Sequence, residues 1–233
     1  MEVLSELLAW FTDPAQWQGV DGIPNRMWEH IQMTVFSTGV AALVAIPPAI
    51  ILAHKRKGGV LVVAAVNIGR AVPSFAIVAL SLPVSIRLGL GLGFWPTFLA
   101  LFFLAVPPMF SNTYTGVAGV TPALVEAAKG MGLTEGQVMR QIEVPVAMPV
   151  IIAGVRIAAV QVIATATLGA LVAWGGLGRY IIDGFATQDI AEVVGGGILV
   201  AILAIATEFG FTQLERRTSP RGSSHEERIG QAA

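Results

Sequence analysis

Five runs of apolar residues, near 31–53, 60–84, 95–118, 147–173 and 193–214, reach the roughly 20 residues a helix needs to cross about 30 Å of hydrocarbon. In lipid every backbone polar group must be satisfied internally, so runs of this length are expected to be helices. The chain is therefore expected to be all-α and polytopic, with about five transmembrane helices. Composition agrees: of 233 residues 55% are hydrophobic and 12% charged, against about 25% charged in soluble domains. Pro47, Pro48, Pro73, Pro107 and Pro108 fall inside the runs, where neighbouring helices can satisfy the freed backbone groups. Small pairs at helical spacing, Ala41 with Ala45 and Gly197 with Ala201, favour close helix packing.

The polar ends of these runs give an orientation. With the N-terminus outside, nine Lys and Arg residues fall on inner segments: Lys55, Arg56, Lys57, Lys129, Arg140, Arg216, Arg217, Arg221 and Arg228. Three fall outside, Arg26, Arg87 and Arg179, and the positive-inside rule then places the C-terminus in the cytoplasm. The expected divisions are an extracytoplasmic amphipathic segment 1–30, a membrane domain 31–214 and a disordered tail 215–233. The first 25 residues carry Glu2, Glu6, Asp13 and Asp21 and lack a basic start, so they are not expected to be a signal peptide. The net charge of −1 makes no case for nucleic acid, and with no cysteine there is neither a disulfide nor a thiolate site.

Between the third and fourth runs lies Thr121–Pro149, rich in polar residues yet patterned. Thr121-Pro122 supplies an N-cap and a first-turn proline, and Gly132 sits where a helix C-terminal glycine belongs. Thr134-Glu135-Gly136-Gln137 has capping-box spacing, so a second short helix is expected, ending near Glu143 because Pro145 cannot continue it. Leu124, Ala128 and Met131 share one face of the first helix, as do Val138 and Ile142 on the second. Capping alone fits either a docking surface or an ordinary loop with helical turns.

The residues Glu126-Ala127-Ala128, then Gly132, Ile142 and Pro145, resemble in identity and spacing the EAA loop of bacterial ABC-importer permeases. That resemblance implies a cytoplasmic coupling-helix loop, 121–146, that seats in a groove of an ATPase. It also implies an ATPase subunit dimer inside, a solute-binding protein outside, and a second permease copy or paralogue in a bacterial cytoplasmic (inner) membrane. Cofactors would then be absent from this chain, with ATP and magnesium held by the partner ATPase. The segments Asn67-Ile68-Gly69-Arg70-Ala71-Val72-Pro73-Ser74, Asp21-Gly22-Ile23-Pro24-Asn25-Arg26 and Gly175-Gly176-Leu177-Gly178 are similar to permeases for glycine betaine, choline and carnitine. The resemblance places Asn67, Arg70, Pro73 and Ser74 beside the translocation pathway. Many such permeases have Gln-Thr where this chain has Arg70-Ala71, which leaves the exact substrate open.

Charges inside the runs are functional candidates because an isolated charge in lipid is costly. Arg156 and Glu208 lie at similar depth and are expected to pair as a structural link between two helices. Arg70, some ten residues into its run, is suited either to a ligand carboxylate or to backbone carbonyls at a proline kink. Trp10, Trp17, Trp28, Trp95 and Trp174 all fall at the outer boundary, where an aromatic belt explains them. Trp174 is the first candidate for drawing in a cationic ligand. His30, His54 and His225 are scattered, so neither a metal site nor a catalytic site is expected, and no phosphate-binding or hydrolase signature occurs. A different class, an ion-coupled secondary transporter, would need a midplane carboxylate, and no Asp lies within any run. An ABC permease for another substrate, such as an amino acid, is a further alternative.

Overall fold

The computed structural model describes residues 2–68 and 72–218, and every regular element among them is helical. In chain order these are α1 (Glu2–Thr12), α2 (Ile23–His54), α3 (Gly59–Ile68), α4 (Ser74–Arg87), α5 (Phe94–Ala118), α6 (Pro122–Gly130), α7 (Glu135–Val138), α8 (Val144–Thr165), α9 (Gly178–Thr187) and α10 (Ile190–Thr218). A π turn, Met139–Glu143, joins α7 to α8, and a 3-10 segment, Ala166–Val172, extends α8. Four stretches are long and apolar enough to cross a membrane: Ile23–His54, Phe94–Ala118, Glu135–Val172 and Ile190–Thr218.

The remaining apolar run is not one helix. It is divided into α3, of 10 residues, and α4, of 14, which rise about 15 and 21 Å, so neither spans alone. Pro73 stands before α4 in an extended conformation (φ −60°, ψ 130°); its ring blocks a hydrogen bond to the preceding turn, which explains a helix starting there. Other boundaries also move. α2 begins at Ile23, eight residues before the expected span, because extended Gly22 and Pro24 make a helix start. α10 runs on to Thr218, so residues 215–218 are helical where a tail is expected.

The core sits between α2, α5 and α8. Met33, Ser37, Ala41, Ala45, Ala49 and Ala53 recur every fourth residue along α2 and are all fully buried. This stripe of small side chains lets α2 lie close against Leu101, Ala105 and Met109 of α5. α8 approaches α5 as closely: a methyl group at Gly154 would lie 2.7 Å from Asn112 Cβ and 3.0 Å from the Pro108 carbonyl. Gly197 and Ala201 do not pack in this way. A methyl at Gly197 would meet nothing within 4 Å and Ala201 is exposed, whereas neighbouring Gly195 and Gly196 carry the close contacts of α10. α1 folds onto α10 through Trp10, which is 8% exposed and meets Tyr180 edge-on at 5.3 Å. Trp10 is thus a core residue rather than part of a belt.

Candidate functional site

The loop 121–146 is built from two short helices held to each other. α6 has Pro122 in its first turn and closes on Gly132, whose φ of +91° is the left-handed geometry that favours glycine. Thr121 occupies the N-cap position but makes no side-chain cap bond. At Thr134 the capping box forms, and Gln137 Oε1 accepts from the Thr134 N–H at 2.8 Å and its hydroxyl at 3.0 Å.

Pro145 does not stop the second helix. Val144 is helical (φ −65°, ψ −48°) and its N–H donates to the Met139 carbonyl, five residues back. The wider π turn relieves the carbonyl that a proline in a regular α-helix would strike, so one helix runs from Glu135 to Val172.

Inward and outward faces differ from the expected ones. Ala128 and Val138 are 1% and 0% exposed and hold the two short helices to the body, while Leu124 and Met131 stay 42% and 74% exposed. Glu126, Ala127 and Pro145 are exposed and Ile142 is half-buried. Methyl groups at Gly130, Gly132 or Gly136 would meet nothing within 4 Å, so this surface stands clear of the rest of the chain.

Beneath the loop lies a polar network that sequence reasoning missed. Glu143, 2% exposed, accepts from His54 Nδ1 at 2.5 Å, and His54 Nε2 lies 3.6 Å from Glu135. Lys129 Nζ meets the other Glu135 oxygen at 2.8 Å. Arg56 donates to the Ala118 carbonyl at 2.5 Å and to the Val120 carbonyl at 3.5 Å, and Tyr114 donates to the Lys57 carbonyl at 3.0 Å. One signal was available: a carboxylate two residues before a proline, at the head of an apolar run, needs a buried partner.

The other candidate residues are distributed. Arg156 Nη1 lies 3.1 Å from Glu208, 3.4 Å from Glu215 and 3.0 Å from Thr212 Oγ1, so α8 and α10 are linked by more than one pair. Asn67 lies in the last turn of α3 and Ser74 begins α4, while Arg70 lies outside the described residues. Trp174 lies just beyond the 3-10 segment that extends α8. Its ring meets Phe94 at 5.4 Å, and with Trp28, Gln32 and Phe36 it lines a cleft of about 620 Å³ at the end opposite the loop. At that end Arg26 bridges Asp21 and Glu29, and Glu29 accepts from the Gly176 N–H at 2.8 Å. Tyr180 donates to the Asp21 carbonyl at 2.6 Å, and burial, the largest cause, pushes its phenol up to about 12.

Comparison with known proteins places this geometry. Residues 38–220 match the family described as binding-protein-dependent transport system inner membrane component. The choline transport system permease protein OpuBB of Bacillus subtilis is 38% identical over 197 residues, which cover 84% of this chain and 88% of that protein. The glycine betaine/carnitine/choline transport system permease protein OpuCB of the same organism is 37% identical over 194 residues, covering 83% and 87%. The osmoprotectant import permease protein OsmW of Salmonella typhimurium is 29% identical over 200 residues, covering 86% and 93%. Among solved structures, an inward-facing crystal form of the MetNI methionine ABC transporter matches with a TM-score of 0.71 at 22% identity, covering 83% of this chain and 94% of that one. That likeness carries the fold alone.

Proposed function

The chain belongs to the family of binding-protein-dependent transport system inner membrane components, and we propose that it imports a small quaternary-ammonium or betaine-type osmoprotectant. The observation that carries the ligand class is the 38% identity, over 84% of the chain, to a permease named for choline. Relatives named for carnitine and glycine betaine support the same class.

In this reading two copies, or one copy and a paralogue, enclose the pathway, because five helices make a poor gated channel by themselves. A solute-binding protein delivers ligand at the end carrying Trp174 and α9, and an ATPase dimer engages α6 and α7 from the cytoplasm. Glu126, Ala127, Gly132, Ile142 and Pro145 form that seat, and buried Ala128 holds it to the body. Support comes from the exposed Leu124 and Met131 and from the open space around the loop glycines. ATP binding draws the ATPases together, the seat moves with them, and alternating access follows. Asn67, Arg70, Pro73 and Ser74 flank the pathway at the broken second run, and Arg156 with Glu208 ties α8 to α10. Uptake needs only modest affinity in the membrane component, since capture occurs in the binding protein.

The test is uptake of labelled choline, glycine betaine and carnitine into proteoliposomes holding this chain with its ATPase and binding protein. Uptake of at least one, strictly dependent on ATP, is expected. Uptake that persists without the ATPase would make the chain an ion-coupled carrier instead. Orientation is tested separately: a cysteine replacing Glu135 should resist impermeant labelling from outside intact cells.

A further inference from the structure

Where α2 gives way to α3, a few residues touch both ends of the 121–146 loop. His54, the last residue of α2, holds Glu143 at the loop's far end and lies beside Glu135, which Lys129 of α6 also holds. Arg56 holds the carbonyls of Ala118 and Val120 at the loop's near end, and the Tyr114 hydroxyl of α5 holds the Lys57 carbonyl. Arg56 does this from a left-handed backbone conformation, φ +52°, which a non-glycine residue adopts at a cost. Such a conformation persists where surrounding contacts impose it, and here the imposing contacts are the guanidinium bonds to α5 and the link beyond it.

The consequence is mechanical. Without these contacts, a displacement of α6 and α7 would reach the membrane domain only along the chain, into α5 and α8. With them, the same displacement also reaches α2, whose small-residue stripe is packed along α5, and α3, the first half of the broken second run. We propose that residues 54–58 are a transmission strap, with His54 and Arg56 as positioning residues that pass movement of the loop to α2 and α3. This rests on the reading of the loop as the ATPase seat. The groups facing the strap are Glu135, Glu143, the Tyr114 hydroxyl and the backbone carbonyls of Ala118 and Val120.

The experiment uses the whole transporter, this chain with its ATPase and binding protein, in proteoliposomes. The double variant His54→Ala with Arg56→Ala is expected to copurify with the ATPase and hydrolyse ATP, while uptake per ATP falls about tenfold, the scale of a lost coupling between sites. Arg56→Lys keeps one donor and should retain most uptake, and Lys55→Ala should be near native. Uptake per ATP within about twofold of native in the double variant, less than a coupling of this kind, would overturn the strap. Failure of the native chain to bind the ATPase would overturn the seat instead, and is distinct because it shows before any substitution. A second measurement does not depend on the variant folding. The cysteine-free chain takes spin labels at Lys57→Cys and Gly136→Cys. Their separation should stay within about 2 Å between nucleotide-free and ATP-trapped states, and a change above about 5 Å, one helical turn, would show that the strap and the loop move apart.

Discussion

The end around α9 and the loop of α6 and α7 place their glycines differently. At the end carrying α1 and α9, Gly178 and Gly195 leave no room for a side chain: a methyl at Gly178 would lie 2.3 Å from the Thr167 carbonyl, and one at Gly195 would lie 2.6 Å from the Trp10 ring. Apolar side chains such as Leu177 and Tyr180 are folded away there, and Glu29 and Arg26 are spent on the chain's own backbone and on one another. In the loop, Gly130, Gly132 and Gly136 have empty space beside them and apolar Met131 points outward. The lesson is that Gly178 and Gly195 lock one end by close packing within the chain, while the glycines of α6 and α7 leave the other end's surface open. Its polar groups are not idle, however, because His54 and Arg56 fasten the projecting helices from below.

Four measurements sharpen or break this contrast. The largest effect is expected from Gly178→Ala, which sets a methyl against backbone and should cost about 3 kcal/mol, read as a lower Tm of the purified chain. Next is Leu124→Asp with Met131→Asp, which should leave Tm unchanged yet weaken ATPase binding about 30-fold, or about 2 kcal/mol, by titration of the two purified components. A Tm loss there would show that the face is internal after all. Tyr180→Phe removes the bond to the Asp21 carbonyl and should cost about 1 kcal/mol in chemical denaturation. The sign of its pH dependence follows from the raised pKa. The phenol's contribution is present below its usual pKa of 10.0 and is lost as pH rises toward about 12, a slope that the Phe variant should lack. The smallest change is Gly130→Ala, in open space near the end of α6, which should be neutral or gain about 0.5 kcal/mol.

Much of this was legible in the sequence, and the failures share a cause. Hydrophobic run length located four membrane helices, Gly132 marked the end of α6 and the capping box the start of α7, because these signals are local. Pro145 misled because a proline forbids a regular α-turn but not a π turn, and only the backbone of Met139–Glu143 reveals which one is used. The second run misled in the opposite direction: its hydropathy is continuous across Pro73 while its helix is not. His54 with Glu143, 89 residues apart, and Arg56 with Ala118, 62 apart, are long-range meetings between charged side chains and groups with no sequence period to announce them. Arg156 and Glu208 could be matched by depth alone, but their shared neighbours Thr212 and Glu215 could not.

The π turn at Met139–Glu143 has a consequence for how such a molecule can change over time. It amounts to one surplus residue in a screw that advances about 100° per residue, so everything before it is set at a different azimuth from everything after it. Deleting a single residue there would swing α6 and α7 around the axis of α8 by that angle, and would set Pro145 against the carbonyl that the wide turn now relieves. The membrane half would keep its packing while the projecting half aimed elsewhere. Five residues thus act as a dial between what is buried in lipid and what is offered beyond it.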